Sequence, residues 1–445
     1  MIVAGLLAIC LAISCPISDV PQQPADVPSV RSIPSVSFSP IPFSSSLIQE
    51  TDARIDRYRK ADTTVIVVGP NGRPIENAQV KVEQTKHAFL FGCAALSLLN
   101  HPSPAQEEAY EKQFGDLFNF ATVLTYWQDI DPEPGRQNLD KITAQVERLQ
   151  KMGIRVKGHP LIIAGACPHW VPADPDQTRA LTKTRIHDLA SHFKGKIEVW
   201  DVVGDVTTAG SAQNGLGAWA RKMGPASMTA DALTWAREAS PDATLMYNDY
   251  NLDAAYESLV KDLGKANAPL DVLGLEAHMI GNEWPLDKVW NTTETFARLS
   301  KPLHFSEITV LSDDPKADHS KSWPTTPEGE QRQADYVEKL YTLLFSHPAV
   351  QAIGWWSFVD GDWDRNPAGF LRADLSAKPV YTRLRKLIKE TWWTRTDLTT
   401  DAHGEATFRG FAGHYRFVVK TPKGTMTMEA DVVRGKPNTI LARFK

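Results

Sequence analysis

The stretch IEVWDVVGDVTT, Ile197 to Thr208, carries the pattern that organises the centre of the chain. A strand of buried type, Ile197 to Val203, runs into a small residue, Gly204, and then a carboxylate, Asp205. Outward from it, short apolar runs alternate with segments of helical period. The strand candidates are FLFGCAA, NFATVLT, IRVKGHPLII, IEVWDVV, ATLMYND, VLGLEAHM, LHFSEIT and AIGWWSF. Between them, DKITAQVERLQKMG repeats Ile142, Val146 and Leu149 at helical spacing, with Gly153 where a C-terminal cap belongs. QRQADYVEKLYTLLF does the same with Tyr336, Leu340 and Leu343-Leu344. Eight strand–helix units predict the α/β class and a (β/α)8 TIM barrel, with its chemistry at the C-terminal strand ends. An open doubly wound sheet would want a Gly-rich phosphate loop after its first strand, and none follows FLFGCAA.

The flanks have a different texture. TTVIVVGPNGRPIENAQVKVEQ alternates with period two on both sides of Pro70-Asn71-Gly72, which reads as two strands and a turn. TDLTTDAHGEATFRGFAGHYRFVVKTP and MTMEADVVRG alternate likewise, turning at Gly404, Gly413 and Gly424. These pieces predict a small β-sandwich-like accessory domain assembled from both sides of the barrel. The expected divisions are residues 60–86 and 393–445 for the accessory segments and 87–392 for the barrel.

Residues 1–15, MIVAGLLAICLAISC, have the apolar core of an export signal and are too short to span a bilayer comfortably. Cys15 is a candidate lipid-anchor cysteine, a possible membrane tether. Residues 16–50 are rich in Pro and Ser and read as an extended linker. The expectation is therefore a secreted or cell-surface protein. Forty-eight Lys and Arg stand against fifty-three Asp and Glu, a formal net charge of -5, with no basic run. Nucleic acid is accordingly a poor partner. Beyond the leader only Cys93 and Cys167 remain, read as buried thiols. No HExxH, CxxC or GxxxxGK[ST] motif occurs, so no metal or cofactor is expected.

The predicted strand ends bring polar and aromatic residues to one rim: His159, Gly204-Asp205, Asn248-Asp249-Tyr250, Glu276 with His278, Glu307, and Trp355, Trp356 and Asp360. Any one of these is more often a solvated charge or a core residue than a functional group. Their convergence points to chemistry on a polar ligand. Two carboxylates across a cleft suit glycoside hydrolysis, one protonating the leaving oxygen while the other attacks the anomeric carbon or activates water. Trp faces suit pyranose rings, and amides, His and Tyr suit hydroxyls.

With these residues in view, the sequence resembles the xylanase-type glycoside hydrolases of family 10. FGCA resembles that family's F-G-T-A, WQDIDPEPGRQN its W-x-x-I-E-P-x-x-G with Trp127 in place, and KGHPL its R-G-H-T-L. WDVVGD resembles the acid/base strand W-D-V-V-N-E, and LHFSEITVL the nucleophile strand. YNDYN, GLEAH and LSAKPVY support the match, which covers roughly residues 89 to 390. The resemblance implies a retaining endo-1,4-beta-xylanase-like double displacement on xylan or a related polysaccharide or oligosaccharide, by a monomer. It implies Glu307 as nucleophile and Asp205 as acid/base, with substrate binding by Trp127, His159, Asn248, Tyr250, Glu276, His278, Trp356 and Trp363.

Departures from the family pattern are specific. Gly204-Asp205 stands where the family has Asn-Glu, Val123 to Tyr126 where it has N-E-M-K, and Leu161 to Ala164 where it has L-V-W-H. Glu276 replaces its Gln. These changes motivate a second function class, a catalytically weakened or inactive carbohydrate-binding protein on the same scaffold.

Overall fold

The computed structural model describes Ile41, residues 49–313 and residues 323–445. The expected leader, Cys15 and nearly all of the linker lie outside the described residues.

The described chain enters through a helix, Thr51–Arg59, that the sequence pattern did not suggest. Its sequence, TDARIDRYR, offers one large aliphatic residue, Ile55, so no apolar period is visible. The helix is held by cations instead. Arg59 donates to the carbonyls of Phe345, His347 and Val350, and Arg54 to Ser346 Oγ. It leads into β1 (Lys60–Val68) and β2 (Gln79–His87), both longer than the alternation alone suggested.

Eight parallel strands then close a barrel: β3 (Leu90–Ala94), β4 (Phe120–Leu124), β5 (Arg155–His159) with its extension β6 (Ile162–Ile163), β7 (Val199–Gly204), β8 (Thr244–Asp249), β9 (Val272–Met279), β10 (Leu303–Val310) and β11 (Val350–Trp355). Their neighbours run β5-β4-β3-β11-β10-β9-β8-β7, and pairing of β5 with β7 closes the ring. The expected single strand IRVKGHPLII is broken at Pro160, which has no N–H to donate to a ladder. The strands are buried along nearly their whole length, as sheet strands covered on both faces must be. The helix Asp140–Lys151 buries Ile142, Val146 and Leu149 as its period required, and Gly153 takes φ +74° just beyond it.

Five strands follow the barrel: β12 (Arg395–Thr399), β13 (Glu405–Phe411), β14 (Gly413–Thr421), β15 (Gly424–Val432) and β16 (Asn438–Arg443). They combine with the first two into sheets ordered β13-β1-β16 and β12-β2-β14-β15. Val65, Val67, Val80, Val82, Phe417 and Val419 share one small core between the sheets, so the expected sandwich forms from both flanks. Its seam with the barrel is aromatic. His87 at the end of β2 meets Phe91, Phe345 and Phe411 at 5.4–5.7 Å between ring centroids.

Candidate active site

At the C-terminal end of β10, Glu307 is 2% exposed and meets groups from three other strands. Asn248 Nδ2 on β8 donates to its Oε1 at 2.8 Å, and His159 Nδ1 from β5 lies 3.3 Å from the same oxygen. His278 Nε2 on β9 lies 3.3 Å from Oε2. Burial alone would raise the Glu307 carboxyl. The charge of His159, the hydrogen bond from His278 and the buried Lys157 outweigh it and bring the group down to about 2. Each histidine is itself oriented: His159 Nδ1 meets Asp201 Oδ2 at 2.6 Å, and His278 Nδ1 meets Thr309 Oγ1 at 2.8 Å. Burial disfavours the charged form of His159, but Glu307 and Asp201 prevail and raise its pKa.

Asp205 has the opposite environment. It follows β7 directly with φ +52°, a left-handed conformation that Asp tolerates better than most residues. Its N–H donates to the Asn248 carbonyl at 3.1 Å, while its Oδ1 is buried with no hydrogen-bond partner. Burial, then the charges of Asp249 and Glu307, push its pKa up to about 7 against a weaker pull from His159. The neighbouring Asp249 is a bracing group. It accepts from Tyr247 Oη, the Thr207 N–H and hydroxyl, and the Asn251 N–H.

Glu276 sits on β9 in register with Glu307 and is 7% exposed. Asn248 Nδ2 donates to its Oε1 at 2.7 Å, so one amide spans both carboxyl groups. Burial and the surrounding acids, Glu307 first among them, raise its pKa well above the usual carboxylate range. Trp356 packs edge-on between His159 and His278, at 5.3 and 5.8 Å, and Trp363 lies against His278 at 4.7 Å. Tyr250 is 51% exposed on the rim, its hydroxyl 3.4 Å from Thr208.

Three residues expected at the site, Trp127 as a binding residue and Trp355 and Asp360 on the rim, are placed differently. Trp127 is 3% exposed and packs edge-on against Trp170 within the core, so an apolar pocket claims its ring. Trp355 is fully buried and donates to the Ala368 carbonyl, while Lys378 and the Gly369 N–H take up Asp360. Conversely, Asp201 joins the site without having been singled out, and so do Ser306, expected only as the strand-end neighbour of Glu307, and Tyr126, noted only within a departure from the family pattern. Tyr126 reaches His159 Nε2 at 3.5 Å. Asp201 had one visible signal, a carboxylate inside the apolar run VWDVV, where a buried charge needs a partner.

The polar atoms of His159, Asp201 and Glu307, and those of Glu276, His278 and Glu307, lie within 4.8 Å of one another, with each imidazole nitrogen in these clusters turned to a carboxylate oxygen. Among the described residues, Cys93 and Cys167 are free, buried thiols.

Comparison with known proteins agrees with this geometry. The model of glycosyl hydrolase family 10 matches residues 81–387. Endo-1,4-beta-xylanase B of Thermotoga neapolitana is 26% identical over 287 residues, covering 59% of this chain and 78% of that protein. Anti-sigma-I factor RsgI6 of Acetivibrio thermocellus is 28% identical over 418 residues, covering 90% of this chain but 51% of its own length. The chain thus spans about half of that relative. Among solved structures, xylanase 10B from Thermotoga petrophila RKU-1 in complex with xylobiose superposes with a TM-score of 0.57 at 24% identity, over 68% of this chain and 95% of that one. At that identity the likeness establishes the barrel fold.

Proposed function

Because the chain belongs to glycosyl hydrolase family 10, we propose that it is a retaining glycoside hydrolase cleaving β-1,4-linked xylan or a related glycan by double displacement. Glu307 attacks the anomeric carbon and forms a glycosyl ester as the bond to the leaving oxygen breaks. Asp205 gives that oxygen its proton. Water then attacks the same carbon, returns a proton to Asp205 and frees Glu307. The observation that carries this reading is the divided protonation. The charge of His159 and the hydrogen bonds of His278 and Asn248, from separate strands, hold Glu307 ionised, whereas burial beside other acids holds Asp205 protonated up to about 7. A nucleophile must be charged and an acid must carry a proton, and environments that push two carboxyls apart support those roles.

The same reading assigns catalysis to residues 87–392, leaves segments 60–86 and 393–445 as an accessory sandwich, and has the protein exported as a monomer acting on polysaccharide. The apolar leader supports export. The test is a reducing-end assay over xylans, mixed-linkage glucans and aryl glycosides, comparing wild type with Glu307→Gln. A fluoroglycoside that labels Glu307, detected by mass spectrometry, would establish the covalent step. A second reading, glycan binding without turnover, is favoured by Gly204, which lacks a hydrogen-bonding side chain beside the acid. Similarity over 90% of the chain to a protein named for a regulatory role also supports it. It requires glycan affinity with no reducing ends released.

A further inference from the structure

We propose that Glu276 is a positioning residue that works as a neutral carboxylic acid, holding the proton that leaves Glu307 the sole anion of the pair. The proposal rests on the hydrolase reading for its kinetic consequence, though not for the protonation itself.

Strand register sets the two carboxyls side by side, Glu276 opposite Glu307 on neighbouring β9 and β10. The space beneath them exists because position 274 is glycine: a Cβ there would lie 2.3 Å from Asn248 Oδ1. Asn248 fills that space and spends its amide nitrogen on both neighbours, at 2.7 Å to Glu276 and 2.8 Å to Glu307. Ser306 Oγ donates to Asn248 Oδ1, so the amide's nitrogen, not its oxygen, must face the carboxyls.

The remaining donors are unequally shared. Glu307 has His159 at 3.3 Å from Oε1 and His278 at 3.3 Å from Oε2, whereas Glu276 Oε2 has His278 at the longer distance of 3.7 Å. The charged groups facing Glu276 are Glu307 from β10, Asp201 and Asp205 from β7 and its end, Asp249 from β8, and His278 from its own strand. Glu307, Asp201 and Asp249 therefore favour a proton on Glu276, Asp205 joins them once it ionises above about 7, and His278 opposes them. Two like charges sharing a buried site cannot both ionise cheaply, and the donor distribution assigns the anion to Glu307.

The consequence is a neutral hydroxyl on Glu276 within the site. Once Glu276 loses its proton, a second anion competes for Asn248 and His278 and crowds the nucleophile. The alkaline limb of activity then contains Glu276 as well as Asp205. Glu276→Gln keeps the shape and the neutral state but cannot ionise, so the fall of its kcat/KM with rising pH, measured against its own maximum, moves to higher pH.

A readout independent of turnover decides the protonation. The wild-type minus Glu276→Gln infrared difference spectrum at neutral pH should show the carbonyl stretch of a protonated carboxyl, shifted in D2O. Glu276→Asp, the second variant should the first fail to fold, should keep the band at an altered frequency. Absence of the band overturns the proposal. So does a pH profile of Glu276→Gln superimposable on wild type, or loss of its activity at every pH. A wild type without turnover but with the band would sink the hydrolase reading and leave the protonation standing.

Discussion

The ends of β7 and β10 each present a carboxylate to the same rim, and the two are treated in opposite ways. Glu307 is the more deeply buried, yet it is the one held ionised. Asp205 is less buried, yet it is the one held protonated. Burial by itself would have ordered them the other way. What differs is the company. Glu307 faces His159, His278 and the Asn248 amide, whereas Asp205 faces Asp249 and Glu307 with an unpartnered Oδ1. Partners, more than depth, assign the charges.

The sharpest way to break the contrast is to remove the anion. Glu307→Gln keeps the volume and leaves no nucleophile, and loss of a covalent nucleophile can cost on the order of 10⁶-fold in turnover. Reducing-end release should vanish while glycan affinity, measured by titration calorimetry, persists. Normal turnover in this variant would mean that another group does the chemistry.

Removing the proton donor comes next. Asp205→Asn should lower turnover on glycans by roughly 10²–10⁴-fold, the usual weight of general acid–base help. Aryl glycosides with good leaving groups should suffer less in the first step, because their departing oxygen needs little protonation. The pH dependence follows with its sign. Asp205 must be protonated for that step, so wild-type kcat/KM should fall as pH rises through about 7, and the variant should lose that fall. An alkaline limb lying near the ordinary aspartate range would contradict the environment described for Asp205.

Much of this framework was legible in the sequence. Eight apolar runs flanked by helical period describe a barrel because each strand is covered on both faces. Period-two alternation exposed the sandwich for the complementary reason, one wet face. The helix Thr51–Arg59 was not legible, since Arg54 and Arg59 hold it through contacts almost three hundred positions away. Within the site, strand-end position revealed Glu307, Asp205, His159, His278, Asn248 and Glu276. The sharing of protons among them was hidden. It depends on which histidine faces which oxygen, and on Asp201, whose place inside an apolar run signals a buried partner without saying which. Trp127 misled for a similar reason, because its motif fixes a position along the chain and packing against Trp170 decides what the ring faces.

A smaller effect probes the acidic side. Glu307 must be ionised to attack, and the His278 hydrogen bond is one of the causes that keeps its pKa near 2. His278→Gln removes the imidazole's charge, so the Glu307 pKa should rise. Activity should then be lost at a higher pH on acidification. An unmoved acidic limb in the pH profile of kcat/KM would show that His159 and Asn248 suffice.

The smallest effect tests the ground on which Asp205 stands. A Cβ at Gly204 would lie 3.1 Å from Ile163 Cδ1, the end of a flexible side chain. Gly204→Ala therefore sets two terms against each other. Crowding of a packed contact costs about 1–3 kcal/mol when nothing can move, and removing a glycine from a strand returns about 0.5–1 kcal/mol. Ile163 is half-buried and its terminal methyl can turn away, so the net change in stability should stay within about 1 kcal/mol. Chemical denaturation reads that change, and a loss beyond about 3 kcal/mol would mean that Ile163 is fixed. Where the alanine is tolerated, Gly204→Asn becomes a clean experiment. It places an amide beside Asp205 without disturbing the fold, so any gain in kcat/KM on xylan measures what the missing side chain contributed.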